Sequence, residues 1–163
     1  MKRVIILLGI LFYCFSNSFA QTNSKTFKWS DTTFEVGSER LIVIYWSLDY
    51  SGMQPESKLV CDTVVAFMKK NQNLQIGIYC NTDQQGDYTH NMKLSNARAQ
   101  SITNYCIYKG VDSARITPKG WGYQRPIVHL SEIKKLKTKQ ERDSAYQINR
   151  RTEVVILKTD YKK

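Results

Sequence analysis

Asp83 and Arg98 are the residues whose types and spacing point most directly to chemistry. Leu94, Arg98 and Ile102 recur at steps of four, which on a helix sets a guanidinium within an apolar stripe. Arginine is seldom buried without a partner, and Asp83, on the turn that feeds this helix, is the nearest plausible one. Two arrangements satisfy the pattern. An internal ion pair between them fixes the turn and needs no ligand. Alternatively the charges stand side by side at a pocket mouth and receive a zwitterion, its ammonium on Asp83 and its carboxylate on Arg98. The residues alone leave both open, the internal pair being the simpler.

No second chemistry competes with this pair. The chain has two histidines, His90 and His129, and no HExxH, GxSxG or glycine-rich phosphate loop. His90 lies close to Asp87 in sequence, but a polar turn accounts for both. No catalytic residue, metal site or cofactor is therefore expected, and the chain reads as a binding module. Cys61, Cys80 and Cys106 have neither zinc nor redox spacing. They are expected as buried small apolar residues, with a Cys80–Cys106 bridge left open.

The elements that must position the pair follow from periodicity. Leu41–Trp46 has the composition of a strand. Pro55 opens a helix over 56–70 whose Val60, Val64, Phe67 and Met68 share a face, with Asn71 as a left-handed cap. Leu74, Ile76, Ile78 and Cys80 alternate as a half-buried strand. The polar turn 81–89 leads into a helix of about 20 residues ending at Gly110, another left-handed cap. A short strand around Ile116 precedes Gly120-Trp121-Gly122, and Thr152–Lys158 is the last strand. Between them, about 131–147 is a charged insertion, a surface helix or loop outside the core, anchored by Ile133 and Leu136. This order predicts an α/β (α+β) two-layer sandwich of βαβαβ type, its helices packed on a mixed sheet.

Lys2, Arg3, the apolar run 4–15 and Ser18-Phe19-Ala20 predict a signal peptide over 1–20. The run falls short of the about 20 residues a membrane span needs, and no mature transmembrane segment is expected. Tyr13 before Cys14 argues against lipidation. Residues 21–33 read as a flexible lead and 34–163 as one domain. The formal charge of the whole chain is +10, from 24 Lys and Arg against 14 Asp and Glu. Without Lys2 and Arg3 it is two lower. Export and the acidic residues interleaved with Lys134, Lys135, Lys137, Lys139 and Arg142 exclude nucleic acid as the expected partner.

Asn81-Thr82-Asp83-Gln84-Gln85-Gly86 followed by Asn91-Met92-Lys93-Leu94-Ser95-Asn96-Ala97-Arg98-Ala99 resembles the signature of the OmpA-like C-terminal domain family, which includes peptidoglycan-associated lipoproteins and MotB. Leu48-Asp49 through Ser57, Gly120 through Pro126 and Asn149 through Glu153 are similar to three further segments of that family. The resemblance covers about 44–157. It implies non-covalent binding of peptidoglycan, with Asp83 and Arg98 holding the zwitterionic end of diaminopimelate. Thr82, Asn91 and Leu94 would line the same pocket, and of Arg150 and Arg151 one would brace it while the other faces water. It also implies a periplasmic location at the outer membrane or wall of a Gram-negative bacterium, with an outer-membrane or periplasmic protein as a further partner. An envelope scaffold of the same fold without wall binding is the alternative. Cys80-Asn81 stands where the family commonly has Gly-His, His90 where it is often aromatic, and Trp121 where tyrosine is usual.

Overall fold

The computed structural model describes residues 25–46 and 51–162. The expected signal segment, Cys14, residues 21–24 of the lead and Leu48-Asp49 lie outside the described residues. Four strands form one sheet in the order β1-β4-β2-β3: β1 (Glu39–Ile42), β2 (Gln75–Asn81), β3 (Ile116–Gly122) and β4 (Thr152–Lys158). β2 and β3 run parallel while β4 is antiparallel to both β1 and β2, so the sheet is mixed, as expected. Helices α1 (Pro55–Lys70) and α2 (Tyr88–Tyr108) supply the second layer. Cys61, Val64 and Met68 of α1 and Ala99, Ile102 and Cys106 of α2 share one core with Ile76, Ile78, Val154 and Ile156 of the sheet. Among the described residues no helix is long and apolar enough to cross a membrane.

α1 begins with Pro55 at its first turn, where the missing N–H costs nothing. Val64, Phe67 and Met68 are buried on its core face, and Val60 packs partly buried beside them. Asn71 departs from expectation: its φ of −112° is not left-handed. The Asn71 carboxamide instead donates to the Phe67 carbonyl at 3.0 Å, closing the helix by side-chain capping. Gly110 does take the expected left-handed conformation after α2, at φ 93°.

The first strand is shorter and earlier than Leu41–Trp46. β1 reads Glu39↔Val155 to Ile42↔Thr152, and Thr152 is where its partner β4 begins, so beyond Ile42 no ladder is left to join. Trp46 instead bridges to Met53. Order also reaches behind Phe34, into the expected lead. Phe27 is buried among Trp29, Phe34 and Phe67 at ring separations of 5.4–5.8 Å, and Thr26 bridges Glu39. Four aromatic rings bury enough apolar surface to offset the entropy of fixing that segment.

The charged insertion folds into α3 (Leu130–Ile133) and α4 (Lys139–Asn149). Ile133 is an anchor, as expected, but with Val128 and Ala145 it forms a small core of its own, flanked by Leu136 and Tyr146. Thr138 and Glu141 close a reciprocal capping box at the start of α4.

Cys61, Cys80 and Cys106 are free and buried. Burial pushes each thiol up to about 12. Because only the thiolate attacks, alkylation of the native protein by iodoacetamide at about pH 8 should leave all three unlabelled, with full labelling in denaturant. Peptide mapping by mass spectrometry reads the result, and native labelling at any of the three would show that the core opens.

Candidate functional site

Asp83 stands just past the end of β2, where the backbone leaves the sheet. Thr82 N–H donates to the Gly122 carbonyl at 2.8 Å and Asn81 N–H to the Arg151 carbonyl at 2.9 Å, so both neighbouring strands hold this exit. Asp83 is only 6% exposed. Its Oδ1 accepts the Gln85 N–H at 2.9 Å, closing a tight turn, and its Oδ2 pairs with the Arg150 guanidinium. Arg150 is itself held by Gln147 Oε1, which accepts from Nε at 3.1 Å and from Nη2 at 2.7 Å.

Arg150, then, and not Arg98, is the ion-pair partner of Asp83. The internal pair read from helix spacing is replaced by one across the sheet, because the register Cys80↔Thr152 brings 150–151 alongside 81–83. Arg98 is half-buried on α2, its guanidinium carbon 5.2 Å from the centre of the Trp46 ring. Leu94, one turn earlier, is also half-buried, and Ile102 is fully buried. The stripe therefore dips into the core at its C-terminal end and opens at the end nearest Asp83.

The remaining residues of the motif fix α2 against the turn and the sheet. Asn91 Nδ2 donates to the Gln85 carbonyl at 2.7 Å. Gly86, at φ 84°, supplies the left-handed residue that this turn requires. Ser95 Oγ accepts the Gly122 N–H at 2.8 Å and Asn96 Oδ1 the Gly120 N–H at 2.9 Å. Asp87 caps α2 by accepting the His90 backbone N–H at 2.9 Å, a contact that leaves the imidazole out of it. Asn149, fully buried, takes the Ile127 and Val128 N–H groups on its Oδ1 and donates to the Val128 carbonyl and Gln84 Oε1.

Arg151 does not face water. It lies with Glu153, Nε to Oε1 at 2.7 Å, while Arg125 reaches Oε2 of the same carboxylate at 3.1 Å. Glu153 is 2% exposed and shares its cross-strand row with Leu41, Tyr79 and Lys119, on the sheet face away from α1 and α2. Two residues that contact arginines of the motif segments escaped sequence reading: Trp46, which packs on Arg98, and Glu153, which pairs with Arg151. The only signal for Trp46 was an aromatic at the end of an apolar run, and for Glu153 a charge inside an otherwise apolar strand. Three buried polar atoms beside Asp83 lack a protein hydrogen-bonding partner: Asn81 Oδ1 and Nδ2, and Thr82 Oγ1.

The model of the OmpA family matches residues 45–141, more than half of the chain. The protein belongs to the OmpA family. Outer membrane protein P5 of Haemophilus influenzae is 27% identical over 134 residues, which are 82% of this chain and 34% of that protein. The peptidoglycan-associated lipoprotein of Pseudomonas putida is 28% identical over 93 residues, 57% of this chain and 55% of its own. The chain thus spans about half, or less, of the length of these OmpA-family relatives. The crystal structure of the peptidoglycan-associated lipoprotein from Burkholderia pseudomallei has the same fold, with a TM-score of 0.56 at 22% identity, covering 69% of this chain and 87% of that one. The OmpA-family match takes in Asp83, Asn91, Leu94 and Arg98, and ends before Arg150 and Arg151.

Proposed function

We propose that this OmpA-family domain binds peptidoglycan non-covalently, through the diaminopimelate of the stem peptide, in the periplasm of a Gram-negative cell. The observation that carries the reading is a nearly buried carboxylate just past the end of β2 together with a half-buried guanidinium on α2, the helix that the Asp83 turn leads into. Asp83 would take the ligand's ammonium and Arg98 its carboxylate, opposite charges for a zwitterion. The ion pair with Arg150 does not exhaust Asp83, since an ionised carboxylate has about four acceptor sites. Arg150 would then preorient the carboxylate, the bracing role that the family resemblance implies for one of the two arginines. Thr82 Oγ1, which is buried without a hydrogen-bonding partner among the described residues, would meet a polar group of the ligand, and half-buried Leu94 would pack on its aliphatic stem. Asn91 contributes through the turn it secures.

On this reading the two charges recognise a ligand and do not turn it over. The relatives named for the outer membrane and for peptidoglycan support an envelope location, where a further envelope protein would be the second partner.

The test is co-sedimentation of the purified protein with isolated peptidoglycan. Pelleting is expected with a wall containing diaminopimelate, to fall sharply with a lysine-containing wall, and to be lost in Arg98→Ala. Equal pelleting with both walls would defeat the diaminopimelate assignment, and undiminished pelleting of Arg98→Ala would defeat the site. Release of soluble muropeptides by the protein would overturn the non-catalytic reading.

A further inference from the structure

At the opposite end of the sheet from Asp83, Arg115 is buried to 8% exposure and has no carboxylate within ion-pair distance among the described residues. Its Nε donates to the Leu74 carbonyl at 2.9 Å, and its Nη2 to the carbonyls of Met68 at 3.0 Å and Asn71 at 2.5 Å. The guanidinium thus closes the C-terminal end of α1, where the helix dipole favours a cation. Three of its five N–H groups are used in this way, and the two on Nη1 have no hydrogen-bonding partner among the described residues. Beside it is a cavity of about 200 Å³, lined also by Lys69, Gln72, Val111 and Tyr161. Lys69 reaches over its edge, with Nζ 3.9 Å from where a Cβ on Gly110 would stand.

We propose that this cavity binds a compact oxyanion, a carboxylate or a phosphate, between Nη1 of Arg115 and the ammonium of Lys69. Asp112, the acidic residue of the lining, caps the 3-10 turn Ser113–Arg115 by accepting the Ala114 N–H on Oδ1 at 2.9 Å, and its charge offsets only one of the two cations, Arg115 and Lys69. Arg115 and Lys69 outnumber Asp112 in the lining, so the cavity carries a net positive charge that attracts an anion. Nε and Nη2 being committed, Arg115 cannot offer the bidentate fork; it offers the two hydrogens of a single nitrogen, suited to one oxygen atom of the anion. The Tyr161 N–H donates to the Asn73 carbonyl at 2.9 Å, which fixes the chain's last turn against the cavity.

The seven residues of β2 separate this cavity from Asp83 by about 20 Å, at the rise of an extended strand. Both ends can therefore be occupied together, the wall at one and an anionic group of a small molecule or partner at the other.

The measurement is an NMR titration of the purified protein, following the Gly110 and Val111 amides at constant ionic strength. Inorganic phosphate and N-acetylglycine are the probes, the second standing for a peptide C-terminal carboxylate. Saturable shifts with either are expected, the tighter probe identifying the source of the anion. Lys69→Gln, a change at an exposed side chain, should weaken binding about threefold to fivefold. Arg115→Lys should abolish it, with circular dichroism reporting whether α1 survives. Lys69→Glu should bind neither probe yet pellet with peptidoglycan as before. Shifts that never saturate, or an unchanged affinity in Lys69→Glu, would overturn the proposal.

Discussion

Asp83→Ala is expected to cost this domain about thirtyfold or more in affinity for peptidoglycan, the factor that corresponds to roughly 2 kcal/mol or more for one partner of a desolvated charge pair. Most of that loss arises in the bound state, where the ligand's ammonium would be left in the pocket without a counter-charge. The fold should tolerate the change. Arg150 loses its partner, but its side chain is 38% exposed and returns to water, so the effect on stability should stay within about 1 kcal/mol. The turn loses one hydrogen bond from Gln85. Asp83→Asn sharpens the result: it keeps an acceptor for Gln85 and most of the shape, and removes only the charge. Binding as weak as in Asp83→Ala would identify charge as what the ligand reads, while wild-type binding by Asp83→Asn would reject the zwitterion model. Sedimentation titrations give the affinities, and thermal melts followed by circular dichroism verify the fold.

How much of this site was legible beforehand divides along local and non-local lines. Contacts between residues close in sequence write themselves as spacing: Leu94, Arg98 and Ile102 lie along one stripe as their steps of four require, and Pro55 and Gly110 bound the helices that they punctuate. Asp83 and Arg150 are 67 residues apart, and nothing in either neighbourhood states the register Cys80↔Thr152 that joins them. Helical spacing therefore nominated Arg98 as the partner of Asp83, when the sheet supplies Arg150. The same limit hid the end of β1, which is set by where β4 begins and not by its own apolar composition. Phe27 was misplaced for a related reason. Among polar neighbours Phe27 and Trp29 read as part of a loose segment, and only the rings of Phe34 and Phe67, brought in from elsewhere, make Phe27 core. The family resemblance identified the fold where periodicity gave only its elements, because a motif carries the outcome of long-range packing in a local string.

Gly120 exposes that packing to a direct test. β3 approaches α2 so closely that a Cβ on Gly120 would lie 2.2 Å from the Asn96 backbone nitrogen and 2.5 Å from the Ser95 carbonyl carbon. Both obstacles are backbone, so no side-chain rotation relieves the overlap, and α2 must move away from the sheet. Gly120→Ala is expected to destabilise the domain by about 3 kcal/mol, the upper range for overpacking, which for a chain of this size lowers the melting temperature by roughly 10 °C. The displacement would also stretch the bonds from Gly120 N–H to Asn96 and from Gly122 N–H to Ser95, which set the height of α2 on the sheet. Arg98 rides on that helix while Asp83 is fixed to β2, so the distance between the two charges must change. Peptidoglycan binding should accordingly weaken even at temperatures where Gly120→Ala is fully folded. Gly52→Ala is the control, since a Cβ there meets nothing within 4 Å and both melting and pelleting should match the wild type. A Gly120→Ala domain as stable as the wild type would mean that α2 can slide on the sheet without strain, and that the geometry joining Asp83 to Arg98 is softer than the contacts of Ser95 and Asn96 imply.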